Sequence, residues 1–324
     1  MMLKTRITEM LGIRYPIVGG TMMWISTPDF VSAISNAGGL GILASAIYQS
    51  REAFAEAVDR TQQLTDQPFA VNLNLFPMMR PIDNNDYLDI LLRKGVKIVE
   101  TSGHSAPESL CIRFKQEGLL WIHKCVGLRY AQKVEEMGAD VVTVVGYENG
   151  GATGKLDIGT LVLVPRVVEG LKVPVIGGGG VSDGRGLLAL LALGAQGVIL
   201  GTRLLVTKEA PIHDNLKRGL VGASEVDTML VMRSIGATHR VWANGAAKRC
   251  AELEASQANL PEILTVVAGE KAKRMYETGD LDLGVISCGQ GVGLVHDIPA
   301  VKELFERIIA EAEEILGNLL ERRR

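Results

Sequence analysis

The chain is expected to be an α/β protein, a (β/α)8 TIM barrel with a helical insertion covering the C-terminal face. Three observations predict it. Short apolar or β-branched runs alternate with helical patterns from residue 16 to residue 202. The runs are apolar throughout, as strands of a parallel sheet covered on both faces are. The rhythm then stops after "HDNLKRGL". Alternation on this scale closes most readily into a barrel, and an open doubly wound sheet is the alternative left by the pattern.

The strands read as "PIVGG" (16–20), "LGILA" (40–44), "FAVNL" (69–73), "KIVETSG" (97–103), "LLWIHKC" (119–125), "DVVTVVG" (140–146), "VPVIGGGG" (173–180) and "GVILGT" (197–202). Helical patterns lie between them at 27–38, 51–64, 87–95, 107–118, 129–138, 157–171 and 183–194. Several end at glycine, which accepts the left-handed conformation of a helix C-cap. Residues 1–213 are therefore assigned to the barrel. Residues 214–298, with helical patterns and no convincing strand, are assigned to a cap. Residues 299–324 are read as a C-terminal amphipathic helix packing back on the barrel, with Val301, Leu304, Ile308, Ala312, Ile315 and Leu319 along one face.

Charged residues make up 22% of the chain and the net charge is −3, so no global field favours nucleic acid or an anionic membrane. The longest uncharged run, "GLLALLALGAQGVILGT", is interrupted by Gly194 and Gly197 and is too short for a span. The four cysteines show no paired spacing and the five histidines no H-x-x-x-H, so neither a metal site nor a disulfide framework is expected. The expected setting is cytoplasmic, and the expected partner is a small-molecule acceptor, with no nucleic acid and no membrane. A homodimer is compatible with the sequence.

Ligands of such barrels bind at the C-terminal ends of the strands. Here those ends read "GGTMMW", "NLNLF", "SGHS", "HKC", "GYENGGATG", "GGGG" and "GTR". The glycines after strands seven and eight suit a phosphate, because backbone N–H groups can approach the anion without a Cβ in the way, with glycine for packing as the alternative. Lys124 closes an apolar run between His123 and Cys125. It is read either as a lysine reaching solvent or as a fixed positive charge facing a ligand that becomes negative, such as a reduced flavin. Met22, Met23 and Trp24 are read either as an apolar wall for a flat ring or as ordinary core. "GQGVGLV" (289–295) lacks the full dinucleotide fingerprint and is read as packing near the barrel mouth.

Taken together, "PIVGGTMMW", "QPFAVNLNL", "ETSG" with "WIHKC", "ADVVTVVGYENGGATG", "VPVIGGGGVSDGRGLLALLALGAQGVILGTR" and "MRSIGATHRV" resemble the nitronate monooxygenase (2-nitropropane dioxygenase-like) flavoproteins. The resemblance is strongest to the branch described as NADH:quinone reductases, and more distant to the flavin-dependent enoyl-acyl-carrier-protein reductases. It implies an FMN-dependent barrel with NADH or NADPH as electron donor. It also implies that Gly20, Thr21 and Met22 line the flavin, that Asn74 hydrogen-bonds its ring and that Lys124 lies near the ring's carbonyl side. Gly150 and Gly151 would approach the ring; Gly178, Gly179, Gly180, Gly201 and Thr202 would bind the phosphate.

One departure matters. Where much of the family carries a histidine taken as the catalytic acid or base, this chain has Ala152. Protonating or deprotonating carbon is slow without a positioned acid or base, whereas quinone oxygens exchange protons rapidly with water. The expected reaction is therefore electron transfer from NAD(P)H through FMN to a quinone or another conjugated acceptor. Nitronate oxidation with oxygen, enoyl-thioester reduction with a substitute acid, and flavin binding without turnover are the alternatives. His104, Glu148 and Tyr147 are the substitutes considered for the missing group; His104, at the end of strand four, is the first choice among them, with Lys124 the other catalytic candidate.

Overall fold

The computed structural model describes residues 3–75, 83–103 and 107–322. Eight parallel strands form one sheet: β1 (Ile17–Gly19), β2 (Gly41–Ala44), β3 (Phe69–Asn74), β4 (Ile98–Ser102), β5 (Leu120–Cys125), β6 (Val141–Val145), β7 (Val175–Gly178) and β8 (Gly197–Leu200). Their order is β1-β8-β7-β6-β5-β4-β3-β2. A parallel bridge between Val18 and Leu40 joins the two end strands, with Gly19 N–H donating to the Leu40 carbonyl at 2.9 Å and Leu40 N–H to the Ile17 carbonyl at 3.0 Å. The sheet is thereby closed into the expected (β/α)8 barrel, and the open alternative is ruled out.

Period-two alternation sorts every strand residue to one side. Val18, Ile42, Ala70, Ile98, Ile122, Val141, Ile176 and Ile199 share one cluster inside the barrel. Helix α1 (Arg6–Leu11) adds Ile7 and Leu11 to that cluster and plugs its lower end. Val71, Val99, Trp121, Val142 and Val198 face outward onto the helices. Those are α2 (Pro28–Asn36), α3 (Arg51–Leu64), α4 (Asn84–Arg93), α5 (Glu108–Gln116), α6 (Leu128–Glu136), α7 (Thr160–Gly170) and α8 (Gly184–Ala192).

Caps account for the helix starts that differ from the sequence reading. Helix α4 begins at Asn84, earlier than its apolar pattern, because the Asp83 side chain accepts from Asn85 N–H. Helix α7 begins at Thr160, later than its pattern, because the Ile158 carbonyl is already bonded to Tyr147 N–H at 2.8 Å.

After β8 come α9 (Thr202–Leu205), α10 (Asp214–Val221), α11 (Gly245–Ala255), α12 (Leu260–Val267), α13 (Gly269–Thr278) and α14 (Val301–Glu321). Helix α14 packs on α8 and α2 and so completes the outer ring of helices. The preceding segment is thus an insertion between the last strand and its helix, on the side where the strands end. It contains two strands where the sequence offered none, β9 (Thr228–Val231) and β10 (His239–Trp242), which pair antiparallel. A further two-residue strand, Gly151–Ala152 from the β6 loop, pairs with β10. The run "TMLV" of β9 is too short to be told from a turn of helix, and β10, with His239 and Arg240 inside it, has no apolar run to reveal it.

Candidate active site at the barrel mouth

The side-chain alternation that fills the barrel with aliphatic groups changes character near the strand ends. Asn74 pairs with Ser102, Ser102 with Lys124, and Lys124 with Thr143, all in register across β3 to β6. Each lies two residues beyond an inward-facing neighbour or continues its alternation, so the four form one polar row on the inner wall. Asn74 and Lys124, chosen from the sequence, are brought together in it. Lys124 is half-buried and makes no ion pair among the described residues.

One layer deeper sits Glu100, fully buried. Its Oε2 accepts from Thr21 Oγ1 at 2.6 Å and from Asn72 Nδ2 at 2.7 Å, while Oε1 has no partner among the described residues. Thr143 Oγ1 is likewise buried without a partner. Such atoms are costly unless a ligand or water satisfies them. Sequence reading missed Glu100, although a carboxylate inside the apolar run "KIVETSG" was a usable signal.

The glycines divide by what a Cβ would meet. At Gly178 it would lie 2.3 Å from Ile199 Cγ2, at Gly179 2.6 Å from Thr160 Oγ1, and at Gly150 2.6 Å from Gly289 N. Protein packing alone accounts for glycine at those three positions. At Gly201 a Cβ would meet nothing within 4 Å, and at Gly180 (φ +77°) only Glu148 at 3.5 Å. Those two have open space beside them. Gly20 N–H donates to the Leu200 carbonyl at 2.8 Å, and the half-buried Met22 uses its N–H on Ser26 Oγ at 2.9 Å. Thr202 Oγ1 accepts from Gly289 N–H at 2.8 Å, so this hydroxyl also anchors the insertion.

The "GQGVGLV" segment carries a 3-10 helix, Gln290–Leu294. Gly289 packs against Glu148 and Gly150, and Gly291 against Gly180. Gln290 N–H donates to the Glu148 carbonyl at 2.9 Å, and Ser182 Oγ to the Gly291 carbonyl at 2.8 Å. The segment thus lies across the loops after β6 and β7. Trp24, in the loop after β1, has φ +66°, a strained conformation for a bulky residue. It borders a cavity of about 690 Å³ together with Tyr48, Arg60, Lys273 and Tyr276.

The proposed substitutes for the absent histidine fare differently. His104 lies outside the described residues. The Glu148 carboxylate accepts from Thr160 N–H at 2.9 Å and Thr160 Oγ1 at 2.7 Å, serving as the cap that Gly159 cannot supply to α7. The Tyr147 ring lies under the Arg240 guanidinium, 4.4 Å from its centroid, and the Tyr147 carbonyl accepts from Arg240 Nε at 3.1 Å.

His123, beside Lys124, faces outward. Its Nδ1 is 2.7 Å from Thr101 Oγ1, which accepts from Trp121 Nε1 at 2.7 Å. Burial is the main cause that lowers its pKa to about 4. The folded ring therefore stays neutral while the unfolded ring takes a proton below about 6.5, so stability is lost as pH falls from there toward 4. The loss attributable to His123 is about 3 kcal/mol. Urea unfolding between pH 7 and pH 4.5 should show a shallower pH dependence for His123→Gln than for wild type; parallel curves would refute the assignment.

A closed parallel barrel with a polar row and open glycine loops at its mouth accords with the oxidoreductases to which this chain is similar. The chain belongs to the nitronate monooxygenase family, whose model matches residues 4–311. It is 34% identical to the (3aS,4S,5R,7aS)-5-hydroxy-7a-methyl-1-oxo-octahydro-1H-indene-4-carboxyl-CoA dehydrogenase of Mycobacterium tuberculosis, over 96% of this chain and 97% of that protein. It is 28% identical to a probable nitronate monooxygenase of Staphylococcus saprophyticus, over 98% of this chain and 100% of that one. Among solved structures, FabK from Thermotoga maritima superposes with a TM-score of 0.90 at 33% identity, covering 98% of this chain and 99% of that one.

Proposed function

We propose that the protein is an FMN-dependent oxidoreductase that takes electrons from NADH or NADPH and passes them to a quinone or another conjugated acceptor. The observation that carries this reading is the inner wall of the mouth, where Thr143 Oγ1, directly across from Lys124, and Glu100 Oε1, one layer deeper, are buried without partners among the described residues. A flat ring with a polar edge fits that wall. Asn74 and Lys124 would bind the ring's polar edge, and Gly20, Thr21, Met22 and Gly151 would line it. Gly150 would approach from the side packed on the insertion. Gly178, Gly179, Gly180, Gly201 and Thr202 would surround the phosphate, with Gly180 and Gly201 leaving it room. Bound there, FMN supplies a two-electron carrier between nicotinamide and acceptor.

Lys124 makes no ion pair with a carboxylate of the described residues, so its ammonium would face a ligand that becomes negative on reduction. A thioester acceptor is the second reading, favoured by similarity to a protein named as a carboxyl-CoA dehydrogenase. Anaerobic mixing of the purified yellow protein with NADH or NADPH is expected to bleach the flavin's visible band. If neither nicotinamide bleaches it, the proposal fails.

A further inference from the structure

The family's histidine position, Ala152, is not isolated in space. It forms part of the two-residue strand that pairs antiparallel with β10, and the residue directly opposite it is His239. Opposed residues of an antiparallel pair project to the same face, with Cβ atoms about 4.5–5.5 Å apart. The next residue along, Gly151, has φ +85°, and a Cβ built there would lie 3.7 Å from His239 Nε2 and 3.6 Å from Ser287 Oγ. The imidazole therefore borders the space that the missing side chain of Gly151 leaves open. From well beyond that loop in sequence, the insertion brings a titratable ring to it.

The placement is rigid. Arg240, the neighbour of His239, is buried and ties the β10 strand to the β6 loop through Tyr147, and its carbonyl accepts from Cys288 N–H at 3.3 Å. Arg233 binds the Asp157 carboxylate with contacts of 2.6 and 2.7 Å, holding the turn before β10 to the loop that follows Ala152. The His239 ring is hydrogen-bonded to the backbone at Ala237, and burial is the main cause that lowers its pKa to about 4. Neutral at ordinary pH, the ring accepts a proton directly and donates one as the imidazolium it forms by taking a proton from water. Glu148 and Tyr147 are committed to structural contacts, and among the described residues His239 is the imidazole paired directly opposite the empty position.

We propose that His239 is the catalytic acid–base group of this protein, acting from the insertion in place of a histidine on the β6 loop, and that its substrates are α,β-unsaturated carbonyl compounds. This rests on the FMN-dependent reading above and extends it from quinones to acceptors that need a proton on carbon. In the reaction the carbon–carbon double bond becomes a single bond. The β-carbon gains a hydride equivalent that originates from NAD(P)H, which is oxidised to NAD(P)+. The ring takes a proton from water and, as the imidazolium, gives it to the α-carbon, returning to the neutral form. In the reverse direction the neutral ring removes the α-proton.

The test separates this from the cofactor reading by reducing the FMN holoenzyme with dithionite, so that no nicotinamide is required. Its reoxidation is then followed anaerobically with crotonyl-CoA, cyclohexenone and benzoquinone. His239→Ala and His239→Asn are expected to slow reoxidation by crotonyl-CoA or cyclohexenone about 10²–10⁴-fold, the usual contribution of general acid catalysis. Benzoquinone reoxidation should change less than about threefold, since quinone oxygen draws protons from water. An unchanged visible spectrum and FMN content would show that the variants are folded. The proposal is overturned if the wild-type reduced enzyme is reoxidised by neither enone, if the variants keep the wild-type rate with both, or if all three acceptors slow by the same factor.

Discussion

Moving the histidine across the strand pair, with Ala152→His in a His239→Ala background, is expected to restore enone reduction to within about tenfold of wild type. The single His239→Ala variant should remain about 10²–10⁴-fold slower. Both sites lie on one antiparallel pair and project to the same face, so an imidazole from either strand starts from nearly the same place. Ala152 is exposed, which leaves room for the ring. Its carbonyl accepts from Asn149 Nδ2 at 3.0 Å, a backbone contact that a new side chain does not remove. Benzoquinone reduction should be alike in all three proteins. Stopped-flow reoxidation decides the matter: a double variant with full FMN content and no recovery would mean that the ring's position, and not its presence near Gly151, is what the reaction requires.

Replacing Phe305 with alanine is expected to lower stability by about 3–5 kcal/mol, the range for truncating a buried phenylalanine. Phe305 is fully buried on α14, and its ring fills the place that a Cβ at Gly39 would take, with Cε2 at 2.7 Å. The same position is hemmed in by the Ile17 carbonyl of β1 at 2.6 Å. The cavity would therefore open between the terminal helix and the first strand, where the backbone is too constrained to collapse. Arg203 links this region to the mouth: it is buried after β8, donates to Asp297 at 2.6 Å, and Asp297 in turn accepts from Arg307 of α14 at 2.6 Å. Urea denaturation measures the cost, and a loss below about 1 kcal/mol would contradict the view that α14 is an integral barrel helix.

Much of the barrel was legible because its signals are local. Parallel strands covered on both faces read as unbroken apolar runs, and every one of the eight strands overlaps its predicted run. Helix α3 spans Arg51–Leu64, the residues its pattern marked, because Ser50 caps it through Ala53 N–H. Lys124 was conspicuous as a charge closing such a run. Glu100 was equally conspicuous in principle, yet its meaning depends on Thr21 and Asn72, which arrive from the loop after β1 and from β3.

The site was legible only where a residue's own strand places it. Period-two alternation puts Asn74 and Lys124 on the inner wall, and strand order puts them in one row. The roles of the glycines were not separable in sequence. Gly178 makes room for Ile199 and Gly201 faces open space, a difference set by neighbouring strands and not by the glycines themselves.

From its own sequence this protein reads as a (β/α)8 barrel with glycine-rich loops at the strand ends, and its resemblance to the family implies a histidine where it has Ala152. Apolar periodicity and loop composition are properties of contiguous residues, so they survive without the fold. Which residue faces Ala152 was decided by the tertiary structure alone. The pairing joins Ala152 to His239 through two short strands with no apolar pattern, held by Arg240 and the segment after Ser287. Strand register over that separation comes from packing of the insertion on the barrel mouth, and no local feature of either strand encodes it.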